Sequence, residues 1–95
     1  MNYEVDFLED AHEEWNKLNP SIKEQFKKKL VKILENPRVP KNQLSGYPNC
    51  YKIKLRKLGY RLVYKVIDAE VVIVVITVGK RENNAVYNKL PSRLS

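Results

Sequence analysis

The chain has 95 residues, of which 43% are hydrophobic, and it carries 18 Lys and Arg against 11 Asp and Glu. That length leaves room for one core, so residues 1–95 are expected to form a single domain, and the hydrophobic fraction excludes a disordered chain. A formal net charge of +7 points to phosphate polyanions first and to a strongly acidic protein second, and the single cysteine, Cys50, excludes an internal disulfide and a zinc knuckle.

In chain order, Tyr3, Val5 and Phe7 alternate with Asn2, Glu4 and Asp6, which predicts a first strand. The acidic start Met1-Asn2-Tyr3-Glu4 does not resemble a secretory signal, and the longest apolar run, Val71 to Ile76, is far too short to span a bilayer. A cytoplasmic protein with no membrane association is expected. Leu8, Ala11, Trp15 and Leu18 then fall at helical spacing, with Glu9 and Asp10 at the positive end of the helix dipole. Asn19-Pro20 opens a second helix, with Ile22, Phe26, Leu30, Ile33 and Leu34 on its core face. Asn36-Pro37 ends it, because the residue before proline avoids the helical region. So short a connection predicts an antiparallel helical hairpin.

Val39 to Asn49 reads as a loop, punctuated by Pro40, Gly46 and Pro48. Three strands follow, near Cys50–Arg56, Tyr60–Ile67 and Val71–Val78, with turns at Lys57-Leu58-Gly59 and Asp68-Ala69. Short connections make them an antiparallel meander. The third is apolar on both faces, which puts it inside the sheet, next to the first strand and under the helical hairpin. The expected class is α+β: an N-terminal strand, a helical hairpin, and a meander that completes a four-stranded mixed sheet. A short helix holding Ala85, Val86, Tyr87 and Leu90 comes last, limited by Pro91.

Charge is unevenly distributed. The first fourteen residues hold six acids and no Lys or Arg, whereas no Asp or Glu lies between Asn36 and Ile67. Within that second stretch, Cys50-Tyr51-Lys52-Ile53-Lys54-Leu55-Arg56 alternates at period two. Tyr51, Ile53 and Leu55 face a core, and Lys52, Lys54 and Arg56 share the other face roughly 6.5–7 Å apart, close to the spacing of phosphates on a nucleic-acid strand. A solvated strand face is the plain alternative. Long self-repulsion without carboxylates favours an anionic partner.

The chemistry open to such a face is narrow. His12, the only histidine, lies in the acidic first helix, so a two-histidine RNase cannot be built. A two-metal nuclease needs clustered carboxylates, and Asp68, Glu70 and Glu82 are too few. No metal and no small-molecule cofactor is expected. A phosphate site of Lys52, Lys54, Arg61, Arg81 and Tyr87 remains. Arg61 lies on the strand next to Lys52 and Lys54, Arg81 leaves the end of the third strand, and Tyr87 lies in the last helix. Such a cluster can clamp a phosphate and stabilise the charge of a pentacovalent transition state. RNA supplies its own nucleophile, the 2′-hydroxyl. Crowded like charges lower a lysine's pKa, so Lys52, Lys54 and Tyr87 all stay open as the base. A non-catalytic RNA-binding module would need the cationic face alone.

At these residues the chain resembles the RelE family of bacterial toxins, in its close RelE branch. The similarity covers essentially the whole chain. It is carried by Lys27-Lys28-Lys29-Leu30-Val31, Cys50 to Arg56, Gly59-Tyr60-Arg61-Leu62-Val63-Tyr64, Val78-Gly79-Lys80-Arg81-Glu82 and Val86-Tyr87. The resemblance implies a microbial RNase-like fold, ribosome-dependent cleavage of mRNA in the A site, and control by a cognate RelB-like antitoxin with an acidic contact segment. It carries the family's catalytic set onto Lys52, Lys54, Arg61, Arg81 and Tyr87. Lys27, Lys28, Lys29, Lys41, Arg56, Lys57 and Lys80 are then the candidate contacts to RNA and ribosome. Ser45 departs from the pattern, standing where a close relative has a basic residue, and Pro91 falls inside what is a terminal helix in relatives. The ParE branch of the same fold, directed at DNA gyrase, generally lacks this Lys/Arg/Tyr set and is the alternative.

Overall fold

Strand β1 (Glu4–Phe7) alternates exposed and half-buried residues, as its period-two sequence requires, and it forms one edge of a four-stranded sheet. The computed structural model describes residues 2–94. Strands β2 (Cys50–Leu55), β3 (Tyr60–Ile67) and β4 (Val72–Lys80) form the antiparallel meander, and the sheet order is β1-β4-β3-β2. β1 runs parallel to β4, with Val5 opposite Ile73 and Phe7 opposite Val75. β1 and β2 therefore run the same way at opposite edges, a relation that needs a long crossover. Helices α1 (Glu9–Asn16) and α2 (Pro20–Ile33) supply it.

Local sequence sets the ends of these helices. Glu9 and Asp10 occupy the first turn of α1. Asn19 caps α2, its side-chain oxygen accepting the Ser21 N–H at 2.8 Å, with Pro20 first in the helix. The hairpin turns Ala11, Trp15, Ile22, Phe26 and Leu30 onto one face of the sheet, against Tyr51, Ile53, Leu55, Leu62, Tyr64, Ile73 and Val75. The Trp15 and Phe26 rings stand 6.2 Å apart where the two helices meet.

The opposite face carries a second, smaller core. Cys50, Val63 and Ile76 lie beneath Val86 and Leu90. Those two come from short helices α3 (Ala85–Asn88) and α4 (Leu90–Leu94). The single terminal helix limited by Pro91 is thus two pieces, and Pro91 stands in the first turn of the second, where its missing N–H costs no hydrogen bond. Glu14 of α1 anchors this segment. It accepts Arg93 Nη1 at 2.8 Å and Nη2 at 3.0 Å, pairs with Lys89, and receives the Val78 N–H at 3.3 Å, satisfying backbone of β4 past the end of β1. Burial alone would raise the Glu14 carboxyl, but Arg93, Lys89 and the Val78 N–H hold it down at about 2.

Three boundaries differ from the sequence expectation. β2 stops at Leu55, and Arg56 opens a 3-10 turn, Arg56–Leu58, closed by Gly59 in the left-handed region (φ 71°). The β3–β4 connection is a 3-10 turn, Asp68–Glu70, followed by Val71 at φ 55°, so β4 begins at Val72 and runs on to Lys80. β4 also carries a bulge. Val63 faces Thr77 and Tyr64 faces Val75, which leaves Ile76 as the extra residue.

Candidate active site

The C-terminal helices cover only part of the second face. Where they stop, a cleft of ≈ 450 Å³ opens, lined by Lys52, Lys54, Arg56, Arg61, Arg81, Asn84 and Tyr87. Period-two alternation on β2 puts Lys52 and Lys54 on this face, both half-buried, while Tyr51 and Ile53 enter the main core. Lys54 lies directly opposite Arg61 on β3, and Arg61 opposite Gly79 on β4. One rung of the sheet thus lines up two cations beside a residue with no side chain, over which Val86 packs: a Cβ at Gly79 would stand 3.6 Å from the Val86 Cγ2.

Arg61 is 7% exposed, and its Nη1 donates to the Tyr60 carbonyl at 2.8 Å. Sequence reading places it on an open face; here it is a fixed guanidinium rather than a mobile surface charge. Arg81 follows β4 and is exposed, yet its backbone is fixed, with its N–H donating to the Gly59 carbonyl at 2.8 Å. Tyr87 is half-buried on α3 and packs against the smaller core. Arg56, having left the strand, still lines the cleft from the turn that follows it.

The electrostatics follow from this crowding. No carboxylate among the described residues lines the cleft. Among the described residues, the ion pairs are Arg38–Asp68, Lys89–Glu14 and Arg93–Glu14, so none neutralises a cleft cation. The Lys54 ammonium is pushed below its ordinary value, chiefly by Lys52, then by partial burial, Arg56 and Arg61. Among the described residues no group of three or more His, Cys, Asp or Glu could hold a metal ion. The arrangement can bind a phosphate, offset charge that develops on it, and provide an amine that releases its proton more easily than a free lysine.

The remaining candidate contacts divide by position. Lys29, Lys41, Lys54, Arg56 and Lys57 line an adjoining cleft of ≈ 650 Å³, where Lys29 Nζ donates to the Lys54 carbonyl at 2.9 Å. Lys80 and Arg81 line a third, of ≈ 540 Å³, with Leu58, Gly59, Glu82 and Asn84. Lys27 and Lys28 are exposed on α2 and line none of these three clefts. Sequence reading missed Asn84, which lines two of the clefts. Its signal was the Asn83-Asn84 pair ahead of a helical segment, since asparagine tolerates the left-handed region and Asn84 adopts it at φ 56°.

A family model described as ParE toxin of type II toxin-antitoxin system, parDE, matches residues 5–85. The chain belongs to this family of type II toxin–antitoxin toxins, the ParE and RelE toxins. Within the family the similarity to RelE is high. The chain is 56% identical over 94 residues to the mRNA interferase toxin RelE of Escherichia coli (strain K12), covering 99% of each protein. Its fold matches a double mutant of Escherichia coli RelE in the free state with a TM-score of 0.91, at 55% identity and 100% coverage of both chains. It matches RelE from the intact Escherichia coli RelBE toxin–antitoxin complex with a TM-score of 0.82, at 59% identity over 85% of this chain and 99% of that one. The fold expected from the sequence is the fold observed.

Proposed function

We propose that this protein, as one 95-residue unit in the cytoplasm, is the toxin of a type II toxin–antitoxin pair. It acts as an mRNA interferase, cutting mRNA in the ribosomal A site without a metal and so stopping translation. The observation that carries this reading is the convergence of Lys52, Lys54, Arg61, Arg81 and Tyr87 on one cleft free of carboxylates. The full-length similarity to an mRNA interferase toxin supports it. A RelB-like antitoxin is the cognate partner, in keeping with the toxin–antitoxin complex of the similar RelE.

The 2′-oxygen attacks the adjacent phosphorus and the bond to the 5′-oxygen breaks, leaving a 2′,3′-cyclic phosphate and a 5′-hydroxyl. Lys52 and Lys54 bind the phosphate. Lys54, whose ammonium the neighbouring cations already destabilise, takes the proton of the 2′-hydroxyl. Arg61, fixed by its bond to the Tyr60 carbonyl, offsets the charge of the pentacovalent transition state. Arg81 hydrogen-bonds the departing 5′-oxygen, which takes a proton from water to become the 5′-hydroxyl, and the Tyr87 ring orients the nucleotide. The ribosome's share is to present the strand with attacking and leaving oxygens in line, which removes an entropic barrier that a small open cleft cannot overcome alone.

The test is to incubate the protein with ribosomes programmed with an mRNA codon in the A site and to map the cut. Cleavage within that codon, unaffected by chelator, is expected. Equal cutting of naked mRNA would remove the ribosome from the reading, and loss of cutting in chelator would remove the metal-free mechanism.

A further inference from the structure

The cleft lined by Leu58, Gly59, Lys80, Arg81, Glu82 and Asn84 shares two walls, Arg81 and Asn84, with the cleft assigned to phosphate chemistry. Its content differs in kind. Among the described residues, Glu82 is the only carboxylate that lines any of the three basic clefts. A carboxylate repels phosphate, so beside a phosphate site it is an odd choice unless the ligand there presents a donor. Exocyclic amino groups of nucleobases are such donors, and Asp and Glu accept from them. Asn84 adds a carbonyl acceptor and an NH₂ donor, the pair that matches the edge of an amino-bearing base. Leu58 is 43% exposed, an apolar side chain against which the flat face of a base can rest. Gly59 widens the floor: a Cβ built there meets nothing within 4 Å.

We propose that this cleft is a base-reading subsite that takes the nucleobase next to the scissile phosphate and favours bases with an exocyclic amino group over uracil, through Glu82 and Asn84. The inference rests on the ribonuclease reading of the neighbouring cleft. Arg81 links the two clefts. It lines both, and its backbone N–H is bonded to the Gly59 carbonyl in the floor of the base subsite. A base seated on Gly59 therefore lies beside the residue that serves the adjacent phosphate, and recognition and cleavage share one fixed element.

Two measurements separate this inference from the reading beneath it. The first is single-turnover A-site cleavage over codons that differ by one base, each position varied in turn. At one position wild-type protein is expected to cut codons with A, C or G about tenfold faster than those with U, the scale of one good hydrogen-bonded base contact. Glu82→Gln is expected to reduce that ratio severalfold while keeping the cut at the same bond. The second is binding of non-cleavable 2′-O-methyl trinucleotides that differ by A or U, which needs neither ribosome nor catalysis. The A-over-U preference is expected in wild-type protein and is expected to weaken in both Glu82→Gln and Asn84→Ala. Removing a negative charge can tighten all the oligonucleotides together, so the readout is the ratio between bases, not the affinity. A ratio of one in wild-type protein, or a ratio that survives both substitutions, overturns the subsite. Wild-type protein that cuts no codon yet still prefers A-containing oligonucleotides overturns the ribonuclease reading and keeps the base subsite.

Discussion

Lys54 is the cleft amine on which the neighbouring cations act most plainly. Its ammonium lies below the ordinary lysine value because Lys52, partial burial, Arg56 and Arg61 all disfavour the charged form, with Lys52 the largest cause. The sign is definite: removing a like charge stabilises the ammonium, so Lys52→Ala is expected to move the Lys54 titration up. An NMR titration followed at the Lys54 Cε reads this directly, and an unchanged midpoint would contradict it. The sequence shows Lys52 and Lys54 sharing a face by simple alternation, and it shows Arg61 on the next strand. It does not show that Arg61 is almost fully buried, because the covering comes from fold elements that period two does not reveal. The Asn83-Asn84 pair signals a left-handed residue ahead of a helix, but not the clefts that Asn84 lines.

Secondary-structure elements were more legible than their joints. Both helices, their Asn19-Pro20 boundary, the four strands and the place of the last strand inside the sheet all follow from periodicity and punctuation. The bulge at Ile76 was hidden by the run from Val72 to Val78, which is apolar on both faces apart from Thr77 and so carries no alternation to break. The β3–β4 joint was hidden too, since a valine in the left-handed region is not something a sequence announces. Val71 packs into neither core, so Val71→Gly removes strain of about 1–2 kcal/mol against a glycine entropy cost of about 0.5–1 kcal/mol. Thermal unfolding is expected to shift up by about 2–6 °C, and a lower midpoint would contradict the strain. Glu14 is the other element-scale lesson. Among six acids near the N-terminus it looks like one more surface charge, yet it joins α1 to β4 and to the C-terminal helices. Its folded pKa, at about 2, lies below the ordinary 4.5, so its contribution is present above about pH 4.5 and is lost as pH falls through about 2. Glu14→Gln is expected to cost on the order of 1–2 kcal/mol near neutral pH, after allowance for screening, and to increase hydrogen exchange first in α4. Uniform loss of protection across the sheet would show that α4 is not the segment Glu14 holds.

For the molecule as a whole, the dominant fact is a net charge of +7, with Lys29, Lys41, Lys52, Lys54, Arg56, Lys57, Arg61, Lys80 and Arg81 gathered around three adjoining clefts. An antitoxin that silences this protein is expected to present an acidic segment to that surface, and their association rate is expected to fall steeply as salt rises. A rate independent of salt would indicate an apolar contact instead. The same charge explains why composition pointed to a polyanion while remaining silent on catalysis: a basic surface binds RNA whether or not it cuts it. Arg81 separates the two. It follows β4, is exposed, and fills no core, so Arg81→Ala leaves no cavity. Lys65→Ala removes the same unit charge from Arg61's strand at a position outside the cleft that Arg81 lines with Lys52 and Lys54. Single-turnover cleavage of A-site mRNA by saturating protein, with ribosome binding measured alongside, compares the two variants. The account predicts that Arg81→Ala lowers the cleavage rate on the order of 10²–10³ with binding nearly intact, and that Lys65→Ala costs far less. Equal small losses for both would mean that the basic face only binds, and the claim that this cleft cuts RNA would fall.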